Sequence, residues 1–329
     1  MKLESHADRA AKLPEVVLQV DRLKKVIGKK TIVENVSFTV REGEIFGFLG
    51  PNGAGKTTTI RMLVDLIRPT EGSVSICGHQ VHRNPELALS YVGSIVENPE
   101  VYSYLTGYEN LEQFARMQPG ISKERLKEVI ALVGLDARIH DKVKTYSLGM
   151  RQRLGIAQAL LGAPKLLILD EPTNGLDPKG IKELRQFIRS LADQGMAVVV
   201  SSHLLSEIQL MCDRVAIISR GKVLASGPVA DLIQNSSSYV AWQLFPRVRG
   251  EEALRALGCQ LIEHPGEVLD DALLTGSMEG SILTAMRQEE IQELIPQLVK
   301  AGIQIQGAHK INPTLEQLFL EMTERESIE

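Results

Sequence analysis

The sequence is poor in cysteine and has no long apolar run. Its 3 cysteines, Cys77, Cys212 and Cys259, are odd in number and lack CxxC spacing, so their spacing does not indicate a disulfide framework. We expect free thiols in a reducing compartment. No stretch approaches the roughly 20 apolar residues that a membrane span requires. The first residues, MKLESHADRAAKLPE, contain acids and predict no secretory signal. We therefore expect a cytoplasmic protein whose work at a membrane goes through a partner.

An excess of positive charge is also missing. The chain of 329 residues has 37 lysines and arginines against 41 acidic residues, which gives a net charge of −4. Proteins that bind nucleic acids neutralise phosphates with clustered basic side chains. We therefore expect no nucleic-acid partner, and the 43% hydrophobic and 24% charged residues are typical of a globular protein.

Apolar periodicity predicts strands and helices that alternate along most of the chain. This alternation indicates an α/β domain built on a parallel sheet. The predicted strands are 16–20, 36–40, 44–49, 166–169, 197–200, 214–218 and 222–225. The predicted helices are 57–67, 109–117, 122–133, 149–161, 179–193 and 204–211.

A serine-rich stretch at residues 235–238 predicts a domain boundary. The chain then divides into an N-terminal tail, 1–15, a larger domain, 16–234, and a smaller domain, 235–329. The smaller domain has the order βαββαβ, which indicates an α+β unit of the ferredoxin-like type. Its predicted elements are strand 239–245, helix 250–257, strands 259–263 and 280–287, helix 288–301, strand 302–308 and a final helix 314–323.

A glycine-rich segment follows the third predicted strand and opens a predicted helix. It matches the phosphate-loop pattern GxxxxGK[ST] at Gly50, Gly55, Lys56 and Thr57. Glycines let backbone N–H groups point at phosphate oxygens, and the dipole of the helix favours the bound anion. Lys56 is expected to reach the β- and γ-phosphates, and the Thr57 hydroxyl is expected to bind Mg²⁺. The predicted nucleotide-binding residues are Gly50, Pro51, Asn52, Gly53, Ala54, Gly55, Lys56, Thr57 and Thr58.

Two carboxylates follow a predicted buried strand. Asp170 and Glu171 come directly after the apolar run 166–169. Ligand sites in open α/β sheets lie at the carboxyl ends of the strands, where the phosphate loop also lies. Asp170 is then expected to hold the coordination shell of Mg²⁺, and Glu171 is expected to orient or deprotonate the attacking water.

The segment from Tyr146 to Arg153, Tyr-Ser-Leu-Gly-Met-Arg-Gln-Arg, resembles the signature of the ATP-binding cassette (ABC) ATPases. The commonest signature reads Ser-Gly-Gly-Gln; Ser147 and Gly149 match it, whereas Leu148 and Met150 depart from it. The resemblance covers roughly residues 16–233. It implies ATP hydrolysis by an α/β P-loop NTPase cassette, with a mixed sheet core and a helical subdomain at about 98–160.

The resemblance also implies a head-to-tail dimer with a second copy of the chain. In ABC proteins the signature serine and its helix N-terminus bind the γ-phosphate held by the partner's phosphate loop, so the site is completed in trans. His203 matches the family's switch histidine, which contacts the γ-phosphate. The signature residues are Ser147, Leu148, Gly149 and Met150. The residues that match the D-loop, which communicates across the dimer, are Asn174, Gly175, Leu176 and Asp177.

Two positions depart from the family pattern. Ile27 stands where an aromatic residue usually stacks on adenine, so we expect weak discrimination between nucleotide bases rather than lost binding. Glu97 occupies the Q-loop position, where most members have a glutamine that bonds Mg²⁺ and the attacking water, so the resemblance implies Glu97 as a metal ligand beside Thr57 and Asp170. A carboxylate there adds negative charge beside the metal and cannot donate a hydrogen bond.

Glu97, the signature, the segment 102–111 and the tail 312–320 together resemble the bacitracin and lantibiotic resistance branch. The resemblance implies the ATPase subunit of a bacterial exporter, peripheral on the inner face of the membrane and docked on a separate polytopic permease. Two alternatives stay open. One is an ABC ATPase that gates a non-pumping membrane regulator. The other is an ABC ATPase that acts on ribosomes or DNA, although the acidic charge disfavours it.

Overall fold

The computed structural model describes residues 14–234, 238–262, 280–286, 288–311, 314–319 and 322. The chain divides into two compact units, of which the first ends at Ser226 and the second begins at Gly227. The sequence predicts domains 16–234 and 235–329, so the predicted boundary lies eight residues after the one in the structure. These domain limits stay a prediction.

Ten strands, seven α-helices and a short 3-10 helix, Val143–Thr145, lie in the described residues up to Pro228. The strands are β1 Val16–Ile27, β2 Lys30–Arg41, β3 Ile45–Leu49, β4 Glu71–Ile76, β5 His79–Gln80, β6 Val92–Ile95, β7 Leu166–Leu169, β8 Ala197–Ser202, β9 Arg214–Ser219 and β10 Lys222–Pro228. The helices are α1 Lys56–Leu63, α2 Pro85–Leu89, α3 Gly107–Met117, α4 Lys123–Leu132, α5 Leu148–Leu160, α6 Pro178–Asp193 and α7 Leu205–Gln209.

The central sheet of the first unit has six strands in the order β10-β9-β3-β8-β7-β6. Strand β3 pairs in parallel with β8 and β9, and β7 pairs in parallel with β8 and β6. Every residue of β3, β7 and β8 is buried, as expected for parallel strands covered on both faces. Because the strands are parallel, the loops that follow β3, β7 and β8 leave from one edge of the sheet.

A second sheet in this unit has four strands in the order β2-β1-β4-β5, and its described pairings are antiparallel. Its core side chains join those of the central sheet. The ring of Phe38 on β2 stacks on Phe46 of β3 with centroids 4.8 Å apart, and it lies 5.6 Å from the ring of Phe48. The sheet core of the first unit is therefore two sheets packed together. Helices α3, α4 and α5 fall within the predicted helical segment 98–160.

The second unit has a sheet of its own. Its described elements are α8 Val229–Gln234, β11 Ser238–Phe245, α9 Arg247–Ala256, β12 Gln260–Leu261, β13 Ile282–Met286, α10 Gln288–Lys300 and β14 Gln304–Ile311. The strand order is β12-β13-β11-β14 with antiparallel pairings throughout. Trp242 is fully buried in its core, and its indole Nε1 donates to Thr284 Oγ1 at 2.9 Å. Residues 315–319 are helical, and the rest of the predicted final helix lies largely outside the described residues.

Several predicted element limits are wrong. Strand β1 continues to Ile27 instead of ending at residue 20, because it pairs on both sides and accommodates its polar stretch with bulges near Asp21. Helix α1 stops at Leu63 instead of continuing to residue 67. There the N–H groups of Leu66 and Ile67 both bond back to Arg61 O and close the helix.

The segment 71–95 holds three strands and a helix that the periodicity does not predict, because each is too short to show a period. In the second unit, α9 begins at Arg247 rather than at residue 250, and β14 extends to Ile311 rather than ending at residue 308. Among all the helices of the described residues, none combines the length and the apolar character that crossing a bilayer demands.

Close packing between β6 and α5 gives a test of the fold. A Cβ added to Gly93 would lie 2.3 Å from Ala159 O, a backbone atom of α5. Because backbone cannot rotate away, we expect Gly93→Ala to lower the free energy of unfolding by about 1–3 kcal/mol, measured by urea denaturation.

Gly227→Ala is the matched control, because its added Cβ would meet only Leu232 side-chain atoms at 3.8 Å or more. We expect this variant to unfold like the wild type. Equal stability of Gly93→Ala and Gly227→Ala would contradict the packing of β6 on α5.

Candidate active site

The loop from Gly50 to Gly55 connects β3 to α1 at the carboxyl edge of the central sheet, and the segment that matches the phosphate-loop pattern continues into the first turn of α1. Gly53 and Gly55 have φ angles of 80° and 107°, which L side chains rarely adopt. A Cβ added to Gly50 would lie 2.2 Å from Ile218 O. The glycines are therefore required by the backbone path of the loop.

The first turn of α1 follows directly from this loop. Gly55 is the N-cap, and its φ directs the chain into a helix that starts at Lys56. Thr57 and Thr58 are partly exposed in the first turn, whereas the hydroxyl of Thr59 is buried and donates to Gly55 O at 2.9 Å. The N–H groups of a first helical turn have no partner within the helix, so they are available to phosphate oxygens.

The side chain of Lys56 is buried and carries a positive charge inside the loop. It is only 5% exposed. Its Nζ donates to Gly50 O at 2.7 Å and to Pro51 O at 3.3 Å, and it lies 3.1 Å from Glu171 Oε1. An ammonium has three hydrogens, and these three oxygens can each accept one. The loop and the carboxylate that follows β7 are therefore joined directly by this side chain.

Asp170 lies at the carboxyl end of β7 and is 2% exposed. Its Oδ1 accepts a hydrogen bond of 2.5 Å from Ser201 Oγ, at the end of the neighbouring strand β8. Carboxylate and hydroxyl oxygens are ligands that Mg²⁺ prefers, and Mg²⁺ usually takes only one or two protein ligands beside phosphates and water. Asp170 and Thr57 therefore have the chemistry to hold this ion.

Glu171 is the centre of the charge network. Its backbone has a φ of 49°, and its N–H donates to Ser201 Oγ at 2.9 Å. Its Oε2 accepts a hydrogen bond from His203 Nδ1, and its Oε1 pairs with Lys56. Burial raises the pKa of Glu171, but the hydrogen bonds from His203 and Lys56 outweigh this effect and bring the pKa below its usual range. The carboxylate is therefore ionised at neutral pH.

Glu97 lies in the loop after β6, the strand next to β7. Its φ is 68°, in the left-handed region. Its carboxylate pairs with Arg61 Nη2 on α1. The predicted metal ligand Glu97 is thus held by an arginine, a partner that the sequence does not reveal.

The predicted signature residues lie at the start of α5. Ser147 is the N-cap, and its Oγ accepts from Met150 N at 3.3 Å. The side chain of Leu148 is 41% exposed. A cavity of about 430 Å³ lies beside this turn, lined by residues 147–150 and by Gly175, Leu176 and Asp177 of the predicted D-loop.

The predicted D-loop residues connect β7 to α6. Asn174 and Gly175 are exposed, and Gly175 has a φ of 73°. Asp177 caps α6 because its Oδ1 accepts from Gly180 N at 2.9 Å. The signature turn and the D-loop of one chain therefore line the same cavity. The phosphate loop belongs to a second group of residues, in which Lys56 contacts Glu171.

Three further positions bear on the predicted site: Ile27, Ser201 and Arg61. Ile27 is 56% exposed at the end of β1 and precedes Gly28, whose φ is 61°. Ser201 and Arg61 were not predicted as site residues. A buried serine at the end of an apolar strand was the available signal for Ser201, because a buried hydroxyl needs a partner. No sequence signal connects Arg61 to Glu97, since their pairing depends on the tertiary structure.

Comparison with known proteins places these features in a family. A family model described as "ABC transporter" matches residues 33–174, and a second, described as "AAA domain, putative AbiEii toxin, Type IV TA system", matches residues 141–208. The chain is 49% identical over 313 residues to the ABC transporter ATP-binding protein YhcH of Bacillus subtilis (strain 168), covering 94% of this chain and 96% of YhcH.

Some relatives have names that refer to antibiotics. The chain is 47% identical to the bacitracin transport ATP-binding protein BcrA of Bacillus licheniformis, over 69% of this chain and 75% of BcrA. It is 43% identical to the lantibiotic transport ATP-binding protein SrtF of Streptococcus pyogenes, over 63% of this chain and 89% of SrtF. The predicted resemblance to this branch is confirmed.

Solved structures agree with the fold. One, described as the structure of the ATP binding subunit of an ABC transporter, is 32% identical with a TM-score of 0.59 and covers 66% of this chain and 91% of that chain. Another, a dimeric ATP-binding cassette bound to ADP and Pi, is 25% identical with a TM-score of 0.58 and covers 64% of this chain and 98% of that chain. The chain belongs to the ABC transporter ATP-binding proteins, and it is an ATPase of that family.

Proposed function

We propose that the chain is the ATP-hydrolysing subunit of a bacterial ABC exporter. Two copies pair head to tail on a separate membrane permease, at the inner face of the cell membrane. They close on ATP and Mg²⁺ and power the export of an antibiotic, peptide or other drug. The observation that carries the proposal is the joined network of Lys56, Glu171 and His203 beside the phosphate loop. The identity with BcrA supports an antibiotic as cargo.

The network suggests a role for each side chain in hydrolysis. Lys56 already has three oxygen acceptors, so the β- and γ-phosphate oxygens of ATP would replace some of them. Glu171 is ionised and held on both carboxylate oxygens, which suits it to orient or deprotonate a water. His203 keeps the Glu171 carboxylate in place and is itself partly exposed, so it can meet the γ-phosphate.

Thr57 and Asp170 would hold Mg²⁺, with Glu97 nearby. The ion, when bound, neutralises charge on the phosphates during transfer. Ser201 fixes the Asp170 carboxylate by its hydrogen bond, so the oxygen offered to the ion does not have to be oriented on binding.

The proposal of a composite dimer rests on the signature turn. Ser147 caps α5, and the neighbouring Leu148 is exposed rather than packed. An open helix N-terminus of this kind can receive an anion from another molecule. The related dimeric cassette bound to ADP and Pi supports this arrangement.

The segment that follows Glu97 is the surface we assign to the permease. Tyr102 and Tyr104 are 49% and 65% exposed, and their rings lie 5.8 Å apart. Exposed aromatic side chains that cluster are typical of protein interfaces. The neighbouring backbone is held firmly, because the side chain of Asn110 is hydrogen-bonded to Tyr102 N, Tyr102 O and Thr106 O.

Removal of the carboxylate charge tests the catalytic assignment. We expect Glu171→Gln to lower kcat by about 100-fold or more, the range for loss of a general base, while nucleotide still binds. Steady-state hydrolysis and equilibrium binding of a fluorescent ATP analogue measure the two effects. The matched control is Glu112→Gln, at a half-buried glutamate on α3 that pairs with Arg116, and it should behave as wild type. Hydrolysis at the native rate by Glu171→Gln would refute the assignment.

Mixed dimers test whether the site is completed in trans. Lys56→Ala and Ser147→Arg should each abolish hydrolysis in homodimers, since every site then contains one altered component. Co-expressed, the two variants should regain about one quarter of the native activity, because half of the dimers are mixed and each mixed dimer has one intact site. Lys56→Ala mixed with Glu171→Gln is the control that should regain nothing. Absence of recovery in the first mixture would argue for a site within one chain.

Export is tested in the cell. We expect deletion of the gene to increase sensitivity to bacitracin or to a lantibiotic, and we expect the wild-type gene, but not Lys56→Ala, to restore resistance. The partner that co-purifies distinguishes the alternative, since a polytopic protein alone supports transport and a protease or kinase supports a regulator. Unchanged sensitivity to all compounds of this class would contradict antibiotic export.

A further inference from the structure

Arg61 lies on the helix that begins with the phosphate loop. It is four positions after Thr57 on α1, so the two side chains lie on the same face, one helical turn apart. Along the helix axis one turn is about 5.4 Å. Arg61 is therefore further from the helix N-terminus, where the phosphates are expected, than Thr57 is.

The partner of Arg61 comes from a different part of the fold. Glu97 follows β6, and the Ile95 carbonyl at the end of β6 accepts from Asp170 N at 2.9 Å, so this loop starts next to Asp170. Glu97 has a φ of 68°, which an L residue adopts only at a cost. In this conformation its carboxylate meets the guanidinium of Arg61.

Stability alone does not account for the pair. The side chains of Arg61 and Glu97 are 43% and 57% exposed, and exposed ion pairs contribute little to folding. The position of the carboxylate matters more, because a negative charge near the phosphate loop repels a triphosphate. Pairing with Arg61 fixes that charge against a side chain of α1 whose backbone lies one turn after Thr57.

We propose that Arg61 is a positioning residue that holds the Glu97 carboxylate beside α1 and out of the path of the incoming triphosphate. Arg61 thereby offsets the charge that a glutamate brings to the Q-loop position. This inference rests on the proposed binding of ATP at Gly50–Thr58, and it does not depend on export or on the identity of the cargo.

A double-mutant cycle tests the positioning role. The full-length chain and its variants Arg61→Gln, Glu97→Gln and the double variant are titrated with a fluorescent ATP analogue in EDTA. If Arg61 acted only by adding its own positive charge, Arg61→Gln would weaken binding equally in both backgrounds. If Arg61 positions Glu97, its removal frees a carboxylate that repels the triphosphate. The loss of ATP affinity caused by Arg61→Gln should then be about two- to fivefold larger when Glu97 is present than in the Glu97→Gln variant. Addition of Mg²⁺ should shrink this difference, because the cation neutralises part of the phosphate charge.

Controls separate positioning from structure. Arg61 is also in the last turn of α1, where its positive charge interacts favourably with the helix dipole and stabilises the helix. That effect is the same whether or not Glu97 is substituted. Arg61→Lys keeps the charge and should restore most of the affinity. Arg116→Gln, which breaks a similarly exposed pair with Glu112 on α3, should leave the affinity unchanged.

An equal loss in both backgrounds, or no loss in either, would overturn the positioning role even where ATP binds normally. If the wild-type chain does not bind the ATP analogue, the proposed ATP site itself is refuted. Because the measurement is equilibrium binding, a failure of the export proposal would leave it unaffected.

Discussion

The parallel pairing of β3, β8 and β7 brings three distant loops to one edge of the central sheet. The phosphate loop follows β3, Asp170 and Glu171 follow β7, and His203 follows β8. All three strands are fully buried, so a shift of one strand along another would displace apolar side chains as well as ladder hydrogen bonds. The chemistry at this edge therefore depends on the register of the core rather than on the loops alone.

Within that frame, one serine and one lysine determine how the carboxylates point. Ser201 donates to Asp170 and accepts the N–H of Glu171, so a single hydroxyl fixes two successive residues. Lys56 connects Glu171 to the phosphate loop. Glu171 and Glu97 both have positive φ, and such conformations persist where surrounding contacts enforce them. At these two residues the positive φ accompanies contacts that orient a charge, although Arg22 of β1 and Asn35 of β2 also have positive φ outside the site.

The sequence predicts the strands that carry the candidate site better than it predicts the outer elements. The limits of β7 are predicted to the residue, because a continuous apolar run ending in Asp170 leaves little choice. The glycines of the phosphate loop are also visible in sequence, since each is a local requirement of the backbone. Short strands such as β6 and the early end of α1 are set by packing and by local hydrogen bonds. The pair of Arg61 with Glu97 is purely tertiary, so no pattern along the chain could reveal it.

The two departures from the family pattern differ in what compensates them. Ile27 is exposed and offers an aliphatic surface where the family pattern has a stacking ring, so in the proposed site the phosphates and Mg²⁺ would supply a larger share of the affinity for ATP. Glu97 adds a charge, and the neighbouring helix supplies an opposite charge from Arg61. A lost contact surface can be tolerated because other contacts remain, whereas a charge beside a triphosphate acts over several ångströms and needs a partner. The chain therefore balances its unusual Q-loop residue within the same helix that begins at the phosphate loop.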